Sequence, residues 1–219
     1  TQANGDDAVK GILIICAGRT YIAGADIKEF GGTSKGRSLF EAQDAIENAS
    51  KPVVSAIHGT AFGGGLETAL VCHYRVAVAS AKLGLLPGAG GTQRLPRIVG
   101  AQKALEMMTS GDPVGAAFAL DCGLIDEIVE DLKEGGLAFV RKVIAEGRAL
   151  VKVSESNDKI ADAKGNTELF AKFRKSIARK TRGFDAPEAI IQCVEDAANK
   201  PFAEGMKGER ERFMKLVTG

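Results

Sequence analysis

The chain has 219 residues, of which 45% are hydrophobic and 26% are charged, and both values are ordinary for a globular protein. Its formal net charge of +1 gives no support to nucleic-acid binding or to binding of an anionic membrane surface. No apolar run reaches the ~20 residues that a membrane-spanning helix needs. Because neither a signal peptide nor a C-terminal Ser-Lys-Leu is visible, we expect a cytoplasmic protein.

Strand-like and helix-like segments alternate along the first part of the chain. Short apolar runs rich in β-branched residues predict strands at residues 11–16, 52–57 and 75–79. Between the first two, residues 38–49 place Leu39, Ala42, Ile46 and Ala49 on one face of a helix. This alternation predicts right-handed crossovers and largely parallel strand pairing, so the fold class is α/β.

The later part of the chain is predicted to be helical. Helices are expected at residues 102–108, 116–121, 136–146, 168–179 and 187–198, the last with Pro187 at a position that suits a helix start. The polar residues 151–165 predict an exposed connector. The cysteines are widely separated, and Cys16, Cys72 and Cys122 fit buried thiols in a reducing compartment, while Cys193 fits a helix face equally well.

A glycine run at residues 63–65 is the most informative segment. Without side chains, its backbone N–H groups can approach a ligand closely, and the residues from 67 to 74 are compatible with a helix. We therefore expect Gly64 near a helix N-terminus, with the carboxylate of Glu67 in the first turn. Two interpretations are open: an active site, or a tight strand-to-helix turn whose glutamate complements the helix dipole.

Two further segments resemble the same protein family as the glycine run. Residues 21–30 combine the small residues Ala23, Gly24 and Ala25 with the cation of Lys28, and residues 86–97 form another glycine-rich turn. In their order and spacing, the three segments resemble the crotonase family, also called the enoyl-CoA hydratase/isomerase superfamily, from about Val9 to Leu124. Residues 178–187, 199–205 and 209–213 resemble the multifunctional fatty-acid oxidation proteins within it.

The resemblance implies an architecture and an assembly. The family fold is a spiral of ββα units followed by helices that form trimer contacts or cover the site. It implies a crotonase core at residues 1–125, without its first strands and one loop, and a helical region with a connector at 126–219. A homotrimer is one expectation, and a following 3-hydroxyacyl-CoA dehydrogenase domain is another. The chain itself has no Gly-x-Gly-x-x-Gly after a strand, so we expect no NAD site in it.

The resemblance also implies a set of site residues. Glu67 matches a catalytic glutamate, and the amides of Ala25 and Gly64 match the two donors of an oxyanion hole. The expected CoA-binding residues are Ala23, Ala25, Asp26, Ile27 and Lys28, although without the resemblance an exposed helix start would be the preferred interpretation of Asp26 and Lys28. With two histidines and no metal-ligand spacing, we expect no metal. No cofactor is expected either, because coenzyme A is part of the substrate.

One departure from the family pattern affects the expected chemistry. Hydratases of this family carry a second glutamate in a Pro-Glu pair, whereas this chain reads Leu83-Gly84-Leu85-Leu86-Pro87 and has no acidic residue between Glu67 and Glu106. Either the loop is truly deleted, or the sequence as given omits it, and we favour the omission.

The expected function is hydration of trans-2-enoyl-CoA to 3-hydroxyacyl-CoA in fatty-acid β-oxidation. The alternatives are 3-enoyl-CoA isomerisation by a single carboxylate and a catalytically inactive acyl-CoA-binding domain.

Overall fold

The computed structural model describes residues 2–24, 38–85 and 87–218. None of the helices in these ranges is long and apolar enough to cross a membrane. The strands are β1 (Ile12–Ile15), β2 (Val53–Ile57), β3 (Thr60–Phe62), β4 (Tyr74–Val78), β5 (Lys82–Gly84), β6 (Val114–Gly115) and β7 (Glu127–Val129). The helices are α1 (Gln2–Gly5), α2 (Leu39–Glu47), α3 (Gly64–Leu70), α4 (Gly91–Val99), α5 (Ala101–Ser110), α6 (Ala116–Asp121), α7 (Leu132–Ala145), α8 (Thr167–Ile177), α9 (Ala186–Asn199) and α10 (Phe202–Thr218).

The described strands form two sheets that alternate along the chain. One sheet has the order β1-β2-β4-β7, and all three of its pairings are parallel. The other has the order β3-β5-β6, with β3 parallel and β6 antiparallel to β5. Each of the units β2-β3-α3 and β4-β5-α4 therefore contributes one strand to each sheet and then a helix, which confirms the expected ββα architecture.

Strand β2, in the interior of the larger sheet, is buried along its whole length, and this explains its largely apolar sequence. Val54 and Ala56 of β2 face a core that includes Phe139, Val140 and Val143 of α7. Ile57, at the end of the same strand, belongs to the main core with helices α3, α4, α5 and α9. Side chains alternate between the two faces of a strand, so α7 covers one face and the helices that carry the glycine turns cover the other.

Most of the predicted elements agree with the structure, and two of them differ from it. All three predicted strands and the helices of the later part are confirmed, as is the predicted helix at 38–49, whose N-cap Ser38 forms a capping box with Glu41. The connector expected at 151–165 is wrong in part, because two 3₁₀ helices there bury Val153, Ile160 and Ala163. The helix expected from 67 to 74 ends at Leu70.

Two other expectations concern the burial of the cysteines and the position of the domain boundary. Cys72, Cys122 and Cys193 are buried, but Cys16 is only half-buried because β1 is the outermost strand of its sheet among the described residues. The division of the chain at residue 125 stays a prediction. The sheet itself continues beyond it, since β7 pairs with β4.

Candidate active site

The first turn of α3 holds two of the residues that the sequence singled out. The chain leaves β3 at Phe62 and turns at Gly63, whose φ of 53° and ψ of −125° are accessible to glycine alone among common residues. α3 then begins at Gly64, so the amide of Gly64 is at a helix position that has no intrahelical acceptor. Glu67 lies one turn further along the same helix, with its amide bonded to the carbonyl oxygen of Gly63 at 3.0 Å.

The segment that precedes Ala25 packs directly against this turn. The amide of Phe62 donates to the carbonyl oxygen of Ile22 at 2.9 Å, and a Cβ on Gly65 would lie 2.0 Å from that same oxygen. Gly65 is therefore required for the close approach of the two backbones. Ala23 is exposed, whereas Ala25, Asp26, Ile27 and Lys28 lie outside the described residues.

The carboxylate of Glu67 is buried against the second glycine-rich turn. Its Oε1 accepts hydrogen bonds from the amides of Gly88 at 2.9 Å, Ala89 at 2.7 Å and Gly91 at 2.8 Å. The whole residue is 2% exposed. All of these bonds go to one oxygen, and within the described ranges Oε2 has no hydrogen-bond partner. Oε2 is thus the oxygen left for proton exchange with a ligand.

A second carboxylate reaches the same turn from α10. Oε1 of Glu209 accepts from the amide of Gly90 at 2.5 Å, and its Oε2 accepts from the amide of Thr92 at 3.0 Å and from the hydroxyl of Thr92. Glu209 is 4% exposed. Gly90, the N-cap of α4, provides no side-chain cap, so the two remote glutamates bind the unpaired amides at this helix N-terminus.

Burial perturbs both carboxyl groups, and the charge of Glu209 acts in addition on Glu67. Burial is the largest cause that raises the pKa of Glu67 to about 7, followed by the negative charge of Glu209, against the opposing effect of the three amides. Burial also raises the pKa of Glu209, against the bonds from Thr92 and Gly90. Because the two groups interact, they titrate as a pair. A carboxyl group with a pKa near 7 is suited to gain and lose a proton at neutral pH.

Helix α4 is held in place by two buried arginines, which the sequence analysis did not assign to the site. Arg94 forms an ion pair with Glu47 of α2 at 2.7 Å, and Nη2 of Arg97 donates to the carbonyl oxygen of Ala197 at 3.0 Å. Both guanidinium groups lie over the ring of Phe202 in α10, at 5.0 and 5.2 Å from its centroid. A cleft of about 310 Å³ borders this cluster, and Arg94 and Phe202 are among the residues that line it.

Sequence reasoning found the local parts of the site and missed the distant one. The structure brings Gly64 and Glu67 together on one helical turn, and it brings the glycine-rich turn at 88–91 onto Glu67. It does not place Ala25, Asp26, Ile27 or Lys28. The missed residue is Glu209, which lies 119 residues beyond Gly90. Residues 209–213 resemble the multifunctional fatty-acid oxidation proteins, but nothing in their spacing along the sequence connects Glu209 with Glu67.

Comparisons with known proteins show the family to which the chain belongs. A sequence model of the family described as "Enoyl-CoA hydratase/isomerase" matches residues 1–187. A "Peroxisomal bifunctional enzyme" of Danio rerio is 41% identical over 225 residues, which are 99% of this chain and 31% of that protein. A "Probable enoyl-CoA hydratase" of Bacillus subtilis is 40% identical over 218 residues, which are 89% of this chain and 82% of that protein.

Solved structures show the same fold. An enoyl-CoA hydratase from Bacillus anthracis aligns with a TM-score of 0.59 and 27% identity, covering 100% of this chain and 77% of that one. The chain belongs to the enoyl-CoA hydratase/isomerase family. It is also similar to relatives named as bifunctional enzymes and as alpha subunits of fatty acid oxidation complexes, which confirms the expected subgroup. The chain spans about a third of the length of these longer relatives.

Proposed function

We propose that this chain hydrates trans-2-enoyl-CoA to 3-hydroxyacyl-CoA, as one step of fatty-acid β-oxidation. The observation that carries the proposal is the first turn of α3, which presents an amide without an intrahelical acceptor at Gly64 and a proton-exchanging carboxylate at Glu67. Membership of the hydratase/isomerase family and the relative named a hydratase support it. A dehydrogenase activity in a longer parent protein is a further proposal that rests on the bifunctional relatives.

The chemistry follows from the charge that develops on a thioester. Attack of water on C3 places negative charge on the thioester oxygen, and backbone N–H groups aimed at that oxygen stabilise it. We assign Gly64 as one donor and, by resemblance, Ala25 as the other. Glu67 takes the proton of the attacking water through Oε2 and delivers it to C2 as the enolate collapses, so that OH is added at C3, H is added at C2 and the carboxylate is regenerated. Ala23, Ala25, Asp26, Ile27 and Lys28 are the proposed contacts for coenzyme A, which enters as part of the substrate.

A second candidate function is isomerisation of 3-enoyl-CoA to 2-enoyl-CoA. The hydrogen bonds at the turn favour it. Both oxygens of Glu209 accept bonds from Gly90 and Thr92. Among the described residues, Oε2 of Glu67 is therefore the one carboxylate oxygen at the turn that accepts no bond. A single carboxylate suffices to carry a proton between C2 and C4. The third candidate is an inactive acyl-CoA-binding domain, which the burial of Glu67 favours.

Trimer formation and a cytoplasmic location stay predictions of the sequence. Several of the similar proteins carry a peroxisomal name, so the comparisons do not support one compartment.

Three assays on the purified chain separate these candidates. Hydration of crotonyl-CoA is followed as the loss of absorbance of the conjugated thioester, isomerisation as its gain from a 3-enoyl-CoA, and CoA binding by calorimetry. For Glu67→Gln we expect the hydration rate to fall by about 10²–10⁴-fold, because a neutral amide cannot accept the proton of water. CoA binding should be retained.

Glu106→Gln, which makes the same change at an exposed position of α5, is the matched control and should keep the wild-type rate. An unchanged hydration rate in Glu67→Gln would remove Glu67 from the mechanism. Isomerisation without hydration would support the second candidate, and CoA binding without either reaction would support the third.

A further inference from the structure

The glycine-rich turn before α4 is held between two carboxylates that come from α3 and α10, which are far apart in the sequence. Its amides divide between them: those of Gly88, Ala89 and Gly91 bind Glu67, and those of Gly90 and Thr92 bind Glu209. We propose that Glu209 is a positioning residue for Glu67, which fixes the turn on Oε1 and so sets where Oε2 points. This inference rests on the proposed function for its catalytic consequence.

The geometry of the turn leaves little room for it to move independently of α10. Gly90 has a φ of 93°, and a Cβ there would lie 2.2 Å from Nη1 of Arg94 and 3.0 Å from Sδ of Met206. A Cβ on Gly205, one helical turn before Glu209, would lie 2.0 Å from Oε1 of Gln93. The start of α4 is therefore packed tightly against α10, from which Glu209 binds the amides of Gly90 and Thr92.

The charge of Glu209 has a second consequence for Glu67. A neutral acceptor could satisfy the amides of Gly90 and Thr92, yet the position holds a carboxylate that is buried beside another one. Two negative charges so close together disfavour the fully ionised pair. Glu209 thus favours a proton on Glu67 as well as placing its oxygens.

Other charged and titratable groups face Glu209 from each helix packed against it. Arg94 of α4 offsets its negative charge, and the thiol of Cys193 in α9 has a pKa raised first by burial and also by Glu209. Arg212 of α10 binds Asp196 of α9 at 2.8 Å, which places that cation on a different carboxylate. Among the described residues no ion pair joins Glu209 to a cation, so Arg94 and the bonds from Thr92 and Gly90 offset its charge only in part, and the remainder acts on Glu67.

The test compares three substitutions at or near Glu209. Glu209→Gln removes the charge, Glu209→Asp keeps the charge but shortens the reach, and Glu211→Gln makes the first change at an exposed position of the same helix as a control. Two readouts are needed. One is the pH profile of kcat/KM for crotonyl-CoA hydration, and the other is the pKa of Glu67 from ¹³C NMR of its side-chain carboxyl, assigned with Glu67→Gln.

In Glu209→Gln we expect the pKa of Glu67, and with it the acid limb of the profile, to move down by about 1 pH unit. The kcat should fall more than KM changes, because the turn loses one of its two anchors. Glu209→Asp should restore most of the pKa but not kcat, and Glu211→Gln should match the wild type.

An unchanged pKa of Glu67 in Glu209→Gln overturns the inference, whether or not the wild type is active. If the wild type does not hydrate crotonyl-CoA, the proposed function fails while the NMR titration still decides the role of Glu209. Should Glu209→Gln not fold, Thr92→Val replaces it. That change removes the hydroxyl bond to Glu209, so the proton moves toward Glu209 and the titration of Glu67 should again move to lower pH. No movement overturns the inference.

Discussion

At the scale of single residues, the burial that suits Glu67 to its proposed catalytic role also has a cost to stability. Its carboxylate is buried, and the three amides on Oε1 only partly compensate the loss of water and the repulsion from Glu209. The group therefore holds its proton more tightly in the folded chain than in the unfolded one. Such a strained ionisation is typical of residues that exchange protons in a mechanism.

This pKa shift predicts how the stability depends on pH. The pKa rises from 4.5 in the unfolded state to about 7 in the folded state, so the contribution of Glu67 is fully present below pH 4.5 and is lost as the pH rises through 7. We expect the free energy of unfolding to fall more steeply between pH 5 and pH 8 in the wild type than in Glu67→Gln, by on the order of 1–3 kcal/mol. Denaturant unfolding of both proteins at pH 5 and at pH 8 measures this difference in the free energy of unfolding. Identical pH dependences in the two proteins would contradict the shift.

At the scale of elements, α4 depends on contacts from helices that are distant in sequence. Its N-terminus is bound by Glu67 of α3 and Glu209 of α10, and its Arg94 pairs with Glu47 at the end of α2. Glu47 also accepts a hydrogen bond from the amide of Ser154 at 2.9 Å, which connects α2 to the 3₁₀ helix at Val153–Glu155. The turn that contacts Glu67 thus depends on the packing of four separate segments.

The contribution of the buried ion pair between Arg94 and Glu47 to the stability of the protein can be measured. The side chains of Arg94 and Glu47 are each 6% exposed, so Arg94→Met leaves a buried carboxylate without its partner. We expect the free energy of unfolding to fall by about 3–5 kcal/mol, and the double variant Arg94→Met/Glu47→Met to recover much of the loss. Guanidinium unfolding gives the values.

The exposed pair Lys172–Glu168, with both side chains 75% exposed, provides the matched control. Lys172→Met should cost less than about 1 kcal/mol. Equal losses in Lys172→Met and Arg94→Met would show that burial does not set the strength of the pair.

At the scale of the whole molecule, the sequence predicts the larger sheet better than the smaller one. Strands β1, β2 and β4 are four or five residues long and lie in a parallel sheet, so each reads as an apolar run. Strands β3, β5 and β6 have two or three residues, which is too short for a periodic pattern. Their pairing is set by the tertiary structure rather than by local sequence.

The same distinction applies to the candidate site. Gly64 and Glu67 could be predicted because both lie in the first turn of one helix, where glycine and a carboxylate have local reasons to occur. Glu209 could not, because its contact with Gly90 spans 119 residues and leaves no spacing in the sequence. The fold brings a second carboxylate, Glu209 of α10, to the turn that contacts Glu67, but both of its oxygens are bound to Gly90 and Thr92.

The central claim is that a main-chain amide at the start of α3 stabilises the thioester oxygen of a bound enoyl-CoA. The most direct measurement replaces the amide of Gly64 with an isosteric ester, which removes the N–H and adds no side chain, and compares kcat for crotonyl-CoA hydration with that of the same replacement at the exposed Gly183. We expect kcat to fall by about 10²–10³-fold at Gly64, with CoA binding retained, and to be unchanged at Gly183. A wild-type kcat after the replacement at Gly64 would contradict the account.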